Sequence, residues 1–348
     1  MTGFLDEIAE QPAALLRMLK TAPDSLPEVA ALGRGLRAGQ FRRVVFTGMG
    51  ASYYAAHPAL IALRQQGLDA HLIETSELLY YQRPVLDTGT LLVCISQSGR
   101  SIEIQRLVEA LGEDVPILGI TNDLASPLAQ HSRATVFLNA GAEQTVSTKT
   151  YTTTLAALSL VACALGRLST AEAEEQIASA AEAIAARLSE WRAAVAHILQ
   201  PLTDVRFYAF LGRGPSLASA MTGALIVKES AKLPTEGMSA AQFRHGPLEV
   251  VDSRMAAFIF AGPAQTEALN LNLAATIADL GGHATVIGGE DLIRPAGVGG
   301  VALPPDAGHW ALPVLEIVPI QFLAAALAAR QGFEVGSFRY ISKVTDQE

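Results

Sequence analysis

The chain has 348 residues, half of them hydrophobic and 17% of them charged, which excludes a largely disordered protein and leaves room for two domains of moderate size. A formal net charge of −9 argues against a protein that binds nucleic acid through a broad basic surface. Both cysteines, Cys94 and Cys163, stand in apolar runs, and no secretory signal opens the sequence. These features predict a cytoplasmic protein that contacts neither nucleic acid nor a membrane.

Short apolar runs alternate with helical patterns through the first half of the chain. The runs that are typical of buried strands are 42–48, 70–74, 90–96, 116–121 and 134–139. Strands that are apolar throughout and separated by helices favour a parallel sheet covered on both faces. Right-handed crossovers then give a doubly wound α/β domain.

The stretch 169–199 is rich in alanine and glutamate and predicts one long helix rather than a flexible linker. Ser169 precedes Glu172 at the spacing of a capping box, and the apolar positions that follow recur at helical intervals. A later apolar stretch, 311–329, is long enough to cross a membrane but carries Glu316 and two prolines. We therefore expect a buried core helix there.

The second half of the chain repeats the first. The matching segments are 46–60 with 210–225, 90–96 with 255–261, and 116–122 with 283–289. The sequence therefore predicts two tandem doubly wound α/β domains with parallel sheets, each a flavodoxin-like three-layer αβα sandwich. The predicted organisation is a helical lead (1–35), a first α/β domain (36–168), a connecting helix (169–199), a second α/β domain (200–335) and a C-terminal tail (336–348).

Two glycines after the first predicted strand, Gly48 and Gly50, raise the alternative of a dinucleotide-binding turn. The third glycine of that fingerprint is replaced by Tyr53, and Glu74 meets the expected acidic position only loosely. A Walker loop is absent from the sequence, and the histidines lack the spacing of metal ligands. We expect neither a cofactor nor a metal ion.

Hydroxyl side chains gather where predicted strands end. They are Ser52 after the first strand, Ser96, Ser98 and Ser101 with Gln97 after the third, and Ser147 in the segment TVSTKT after the fifth. The carboxyl ends of parallel strands meet at one edge of the sheet, where free helix amides favour an anion such as a sugar phosphate. The alternative is that these residues only cap helices. Three such turns in one sheet favour the ligand.

Three further residues are candidates for chemistry. Glu229 lies near the end of an apolar helix, where a carboxylate can act as a general base, and the alternative is a surface residue beside Lys228 or Lys232. His245 precedes a Gly-Pro turn, and Lys343 lies in the C-terminal tail. For these two the alternatives are an ordinary histidine and a solvated lysine of a frayed terminus.

Specific motifs are spread almost from end to end of the chain. They are DEIAEQP (6–12), SQSGRS (96–101), VSTKTYTTTL (146–155), GRGPS (212–216), KES (228–230), FRHGPL (243–248) and SKVT (342–345). Together they resemble the SIS (sugar isomerase) domain family. The pair of halves is similar to the isomerase domain of glucosamine-6-phosphate synthase and to its stand-alone, deaminase-type relatives.

The resemblance implies roles for the candidate residues. Glu229 falls on the base that moves a proton between C1 and C2 of the sugar, and His245 falls on the histidine of ring opening, which reaches in from a neighbouring subunit. Lys343 matches the tail lysine that forms a Schiff base with the ketose. The residues that match phosphate and sugar contacts are Ser52, Ser96, Gln97, Ser98, Ser101 and Ser147. The resemblance thus implies that the protein forms a homodimer and that it binds a small phosphosugar.

The chain also departs from that pattern. Ile226 stands where the synthase has a lysine three residues before its base, and Gly336 and Phe338 replace residues that are often Asp and Pro. No glutaminase domain is expected, because the sequence begins at the family's first isomerase helix. Glutamine is therefore not expected to supply ammonia.

The leading hypothesis is conversion of glucosamine-6-phosphate, or a close analogue, to fructose-6-phosphate and ammonia. The alternatives among enzymes are deglycation of a 6-phosphofructosamine and plain aldose–ketose isomerisation. A protein of another class, a sugar-phosphate sensor, remains a further alternative. The combination of Glu229, His245 and Lys343 favours an enzyme, and the segment before the first strand is too short and too acidic for a DNA-binding helix-turn-helix.

Overall fold

The computed structural model of the protein describes residues 3–112, 114–305, 307–340 and 342–345. The chain divides into two compact units, each of which contains one five-stranded sheet. We call them the first-sheet unit (Ala13–Glu143, Lys149–Ala178 and Tyr340–Glu348) and the second-sheet unit (Met1–Pro12, Gln144–Thr148 and Ser179–Arg339).

Helices and strands alternate along the whole chain. The helices up to residue 198 are α1 (Phe4–Ala9), α2 (Gln11–Thr21), α3 (Leu26–Arg37), α4 (Gly50–Ala55), α5 (His57–Gln65), α6 (Thr75–Tyr80), α7 (Ile102–Leu111), α8 (Pro127–His131), α9 (Lys149–Leu165) and α10 (Thr170–Ile198). The strands of this part are β1 (Arg43–Gly48), β2 (Ala70–Leu72), β3 (Thr90–Ile95), β4 (Ile117–Thr121) and β5 (Ala134–Phe137).

The later part of the chain has the same alternation. Its strands are β6 (Phe207–Gly212), β7 (Thr235–Ser239), β8 (Met255–Phe260), β9 (His283–Gly289) and β10 (Gly299–Leu303). Its helices are α11 (Ser216–Ala231), α12 (Ala240–Phe243), α13 (Ala264–Asp279) and α14 (Ala311–Arg330).

The first sheet has the order β2-β1-β3-β4-β5, and every pair of neighbouring strands is parallel. All residues of β3 and β4 are buried, which explains why these segments are apolar without alternation. The order is that of a flavodoxin-like sheet, whose ligand site lies at the switch point between β1 and β3. The predicted fold class is confirmed.

The second sheet repeats this order. It runs β10-β9-β8-β6-β7, again with parallel neighbours, so that β6, β8 and β9 occupy the places that β1, β3 and β4 take in the first sheet. These are the strands that the sequence repeat pairs. The internal repeat is therefore a repeat of structure.

Two long helices that the sequence predicts are present in the structure. The predicted long helix is present as α10, and the Ser169 hydroxyl accepts a hydrogen bond from the Glu172 amide at 3.2 Å. The apolar stretch 311–329 forms most of α14, which packs against α11 and contains Pro319. Among the described helices, α14 alone is long and apolar enough to cross a membrane, but 89% of its most apolar window is buried inside the structure, as in a core helix.

Candidate active site

The loop between β3 and α7 has a shape that only glycine permits at position 99. Gly99 has φ +61°, and a Cβ atom there would lie 2.2 Å from the hydroxyl oxygen of Ser126. The Gly99 amide donates to the Ser96 hydroxyl at 3.1 Å, and the hydroxyl oxygens of Ser96 and Ser101 are 3.5 Å apart. The turn thereby brings two serine side chains together in front of α7.

This loop retains free hydrogen-bond donors. Ser101 occupies the N-cap position of α7, yet its side chain makes no capping bond. Within the described parts of the chain, the backbone N–H groups of Gln97, Ser98 and Ser101 have no acceptor. Unbonded amides at a helix N-terminus, with hydroxyls beside them, form an environment that suits a phosphate group.

The turn after β1 lies next to this loop. Gly48 at the end of β1 is in register with Ile95 at the end of β3, so the two turns leave the sheet side by side. Gly50 has φ +51°, and Ser52 lies half-buried in the first turn of α4. The first-sheet unit therefore brings Ser52 to the same edge as the serines of the loop.

Arg100, which lies in the loop, contacts a different segment. Its guanidinium donates to the Asp123 carboxylate at 2.8 and 3.0 Å and to the carbonyl of Ala125 at 3.0 Å. The hydrogen bond from Arg100 is the main reason why the pKa of Asp123 lies below its usual value. The charge of Arg100 is thus compensated by a neighbouring loop, and the amides and hydroxyls are the donors that remain for an anion.

The C-terminal tail lies against the same edge of the first sheet. The carbonyl of Thr345 accepts a hydrogen bond from the amide of Ile102, the first residue of α7, at 3.1 Å. The ammonium group of Lys343 lies 2.5 Å from a carboxylate oxygen of Glu143. Lys343 is therefore held in place, which argues against the alternative of a solvated lysine at this position.

Glu143 was not identified from the sequence. Its side chain is fully buried and also accepts hydrogen bonds from the amide and the hydroxyl of Thr150, at 3.0 and 2.5 Å. A signal was available, since Glu143 is an acidic residue seven positions before Thr150 in a hydroxyl-rich segment that leads into the apolar helix α9.

The second-sheet unit contains the other candidates. Glu229 is half-buried in the last turn of α11, and Ser147 is half-buried before α9. His245 is exposed and follows α12. Glu229 precedes β7 in the chain, and His245 follows it.

The position three residues before Glu229 is apolar in the structure as in the sequence. Ile226, which stands where the synthase has lysine, is buried in α11 with 1% of its surface exposed. Lys232 lies three residues after Glu229 at the C-cap of α11, and its ammonium group donates to the carbonyls of Glu229 and Ser337. Lys232 therefore links the end of α11 to the segment that leads into the tail.

The chain matches the family model of the SIS domain over residues 40–164 and 202–292, which is more than half of its length. Among curated proteins it is 30% identical, over 346 residues, to an isomerizing glutamine–fructose-6-phosphate aminotransferase of Pyrococcus horikoshii. That match covers 98% of this chain but only 57% of the relative.

Solved structures agree on the fold. The C-terminal domain of glucosamine–fructose-6-phosphate aminotransferase from Francisella tularensis superimposes with a TM-score of 0.87 at 24% identity and covers 96% of this chain and 97% of that domain. Tagatose-6-phosphate ketose/aldose isomerase from Escherichia coli gives 0.82 at 20%, covering 97% and 96% of the two chains. Glucosamine-6-phosphate deaminase from Thermotoga maritima gives 0.72 at 20%, covering 95% and 99%. With the two matched segments falling on the two sheets, the chain belongs to the SIS domain family.

Proposed function

We propose that the protein is a phosphosugar isomerase that binds the phosphate of its substrate on the loop Ser96–Ser101. The observation that carries this proposal is the set of backbone amides without an acceptor, with serine hydroxyls beside them, at the N-terminus of α7 and at the switch point of the first sheet. Such a site binds a dianion without needing a basic side chain. The names of the relatives, which include isomerases of sugar phosphates, support the same substrate class.

In this proposal, the remaining candidate residues carry out ring opening and proton transfer. Phosphate binding fixes one end of the sugar and thereby reduces the entropy that the reaction step must still lose. His245 assists ring opening, which exposes the carbonyl group. Glu229 then removes the C2 proton and returns it to C1, through an enediol-like intermediate.

We further propose an amino-sugar phosphate as the substrate. Proton transfer from C2 to C1 of open-chain glucosamine-6-phosphate gives an imine at C2, and water hydrolyses this imine to fructose-6-phosphate and ammonia. The relatives named as aminotransferases and as a deaminase support this assignment. Ser52, Ser147 and Gln97 would complete the contacts to sugar and phosphate.

The alternatives differ in their products. A 6-phosphofructosamine deglycase releases a larger amine, and a plain aldose–ketose isomerase releases none. A sugar-phosphate sensor binds without turnover. The departure at Ile226, which is buried and apolar, bears on this choice because it removes a cation that could polarise the substrate.

The test is a panel of 6-phosphorylated sugars and amino sugars, with ammonia and ketose measured separately. Ammonia and fructose-6-phosphate in equal amounts from glucosamine-6-phosphate would establish the deaminase, whereas ketose without ammonia would favour plain isomerisation. No turnover, with tight binding of a sugar phosphate, would support the sensor.

The phosphate loop is tested in the same assay. In the double variant Ser96→Ala with Ser98→Ala, each hydroxyl lost from a charged partner costs about 1.5–3 kcal/mol, so KM should rise at least tenfold. Ser253→Ala, which changes an exposed serine of the second-sheet unit, is the matched control and should leave KM unchanged. An unaltered KM in the double variant would contradict this position of the phosphate.

A further inference from the structure

A buried ion pair joins the C-terminal tail to the body of the first-sheet unit. The ammonium nitrogen of Lys343 lies 2.5 Å from a carboxylate oxygen of Glu143, whose side chain is fully buried, whereas 21% of the Lys343 side chain is exposed. The two residues are 200 positions apart in the chain. The tail is therefore tied to this unit by a specific tertiary contact.

The carboxylate of Glu143 is itself fixed in position. The amide of Thr150 donates to one carboxylate oxygen, and the hydroxyl of Thr150 donates to the other, which also accepts from Lys343. Thr150 belongs to the first turn of α9, where free amides and the helix dipole favour a negative charge. Burial by itself raises the pKa of Glu143, but the charge and hydrogen bond of Lys343 and the hydrogen bonds of Thr150 outweigh it, so the pKa lies below its usual value.

The same tail segment also contacts the phosphate loop. Thr345 accepts a hydrogen bond from the amide of Ile102, which directly follows Ser101. Lys343 is two residues earlier in the tail, so its backbone lies within about 7 Å of Thr345 along the chain. The two contacts, at Glu143 and at Ile102, hold the Lys343 side chain at the edge of the sheet that carries the loop.

Stability alone gives a weak reason for such a pair. An ion pair buried in a protein is often no more stabilising than apolar side chains of the same volume, because both charges must lose their hydration. A pair of this kind can instead serve to fix the location of a charged group. Here the group that is fixed is the ammonium of the tail lysine, in a segment that also contacts Ile102 directly after the loop.

We propose that Glu143 is a positioning residue of this site: its buried carboxylate holds the ammonium group of Lys343, and with it the tail, beside the loop Ser96–Ser101, where the lysine contacts the sugar part of the bound phosphosugar. The proposal rests on the proposed function, since it takes a phosphosugar as the ligand of the loop. Glu143 acts through Lys343 and does not itself contact the substrate.

The first experiment measures the reactivity of Lys343 in the full-length protein. A brief reaction with an amine-specific acetylating reagent, followed by peptide mass spectrometry, should label Lys343 at least tenfold more slowly than the exposed Lys20. In Glu143→Gln, which keeps the side-chain shape but removes the charge, Lys343 should approach the rate of Lys20. Equal labelling of the two lysines in the wild type, or unchanged labelling in the variant, would overturn the proposal.

The second experiment separates positioning from folding. In Glu143→Gln, kcat should fall more than tenfold while the inhibition constant of inorganic phosphate stays within twofold, because the phosphate loop is unchanged. Glu143→Asp retains the charge and should recover part of kcat, with circular dichroism confirming that each variant is folded. Wild-type kcat in a folded Glu143→Gln variant whose Lys343 labels quickly would overturn the positioning role.

The two proposals fail in different ways. If the wild-type protein turned over no phosphosugar, the proposed function would fail, whereas the labelling rates of Lys343 would still decide whether Glu143 holds it. If turnover were found and labelling were insensitive to Glu143→Gln, only the role of Glu143 would fail.

Discussion

Glu316 lies in the middle of α14, and its carboxyl group is fully buried. The hydroxyls of Ser216 and Ser219 donate to its two oxygens at 2.7 and 2.6 Å. Burial raises the pKa of Glu316 to about 8, although the two hydroxyls lower it in part. The group is therefore protonated in the folded protein at a pH where it is ionised in the unfolded chain.

This difference predicts a pH dependence of stability that Glu316→Gln removes. The pKa is 4.5 in the unfolded chain and about 8 in the folded one, so the folded state binds more protons between these values. The free energy of unfolding should then fall as the pH rises from 4.5 to 8, by up to about 1.4 kcal/mol per unit.

The measurement is urea unfolding of wild type and variant at pH 5, 6.5 and 8. The difference in stability between them should shift in favour of the variant as the pH rises. Glu175→Gln, at an exposed position of α10, is the control. A difference that stays constant over this range would show that Glu316 does not change its protonation on unfolding.

A substitution of Glu229 is expected to change the rate of the catalytic step. Glu229→Gln keeps the shape of the side chain but cannot accept a proton, so kcat should fall by about 10²–10⁴-fold while phosphosugar binding is preserved. Exchange of the substrate's C2 proton with solvent, followed by NMR in deuterated water, measures this step directly. Lys228→Gln, at the exposed neighbouring position, is the matched control and should exchange normally. Wild-type exchange in Glu229→Gln would assign the base to another residue.

Single residues also mark the limit of what the sequence can predict. Ser126 and Ser101 both occupy N-cap positions, but the hydroxyl of Ser126 accepts the Ala129 amide, whereas that of Ser101 makes no capping bond. Residue type does not separate these cases, since only the backbone geometry decides them. Glu143 was missed because its partner Lys343 is distant in the chain, and only the hydroxyl-rich segment that follows Glu143 offers a local signal.

At the scale of elements, the two halves use their first strand–helix turn differently. Ser52 in the first turn of α4 is half-buried beside the phosphate loop. Its counterpart in the repeat, Ser216 at the start of α11, is fully buried and donates its hydroxyl to Glu316. In the second half of the chain, the serine hydroxyl of this turn is therefore hydrogen-bonded to a carboxyl group of the same chain.

This difference predicts opposite outcomes for two equivalent substitutions. Ser52→Ala should weaken fructose-6-phosphate binding by about 1.5–3 kcal/mol, at least tenfold in Kd, because it removes a donor to the ligand. Ser216→Ala should leave Kd unchanged and lower the free energy of unfolding by about 1–3 kcal/mol, because a buried group loses its hydrogen bond. Calorimetric titration and urea unfolding measure the two effects. Equal losses of affinity in both variants would mean that the second turn also binds the ligand.

The strands differ in how far the sequence predicts them. All five strands of the first sheet lie within the predicted runs, and two of them, β3 and β4, are buried throughout, which favours an apolar run. The strands β7 and β10 of the second sheet were not predicted, because they begin with threonine and glutamate or with two glycines and not with an apolar run. The sequence of β7, TEGMS, lacks the continuous apolar pattern by which the others were recognised.

At the scale of the whole molecule, the positions of Glu229 and His245 bear on assembly. The proposed mechanism uses both residues on one substrate, and the family resemblance implies that the histidine comes from a neighbouring subunit. We therefore propose that the protein assembles as a homodimer in which His245 serves the site of the neighbouring chain. A symmetric dimer of this kind contains two such shared sites.

Subunit mixing tests the shared site. Glu229→Gln and His245→Ala should each be inactive alone, but a heterodimer of the two contains one site with both wild-type residues and one with neither. After complete exchange half of the dimers are heterodimers, so activity should return to about a quarter of the wild-type value per subunit. Native mass spectrometry of differently labelled chains confirms the exchange, and mixing either variant with itself is the control. If exchange is complete and no activity returns, Glu229 and His245 act within the same chain, because only then does every site of the heterodimer lack one of them.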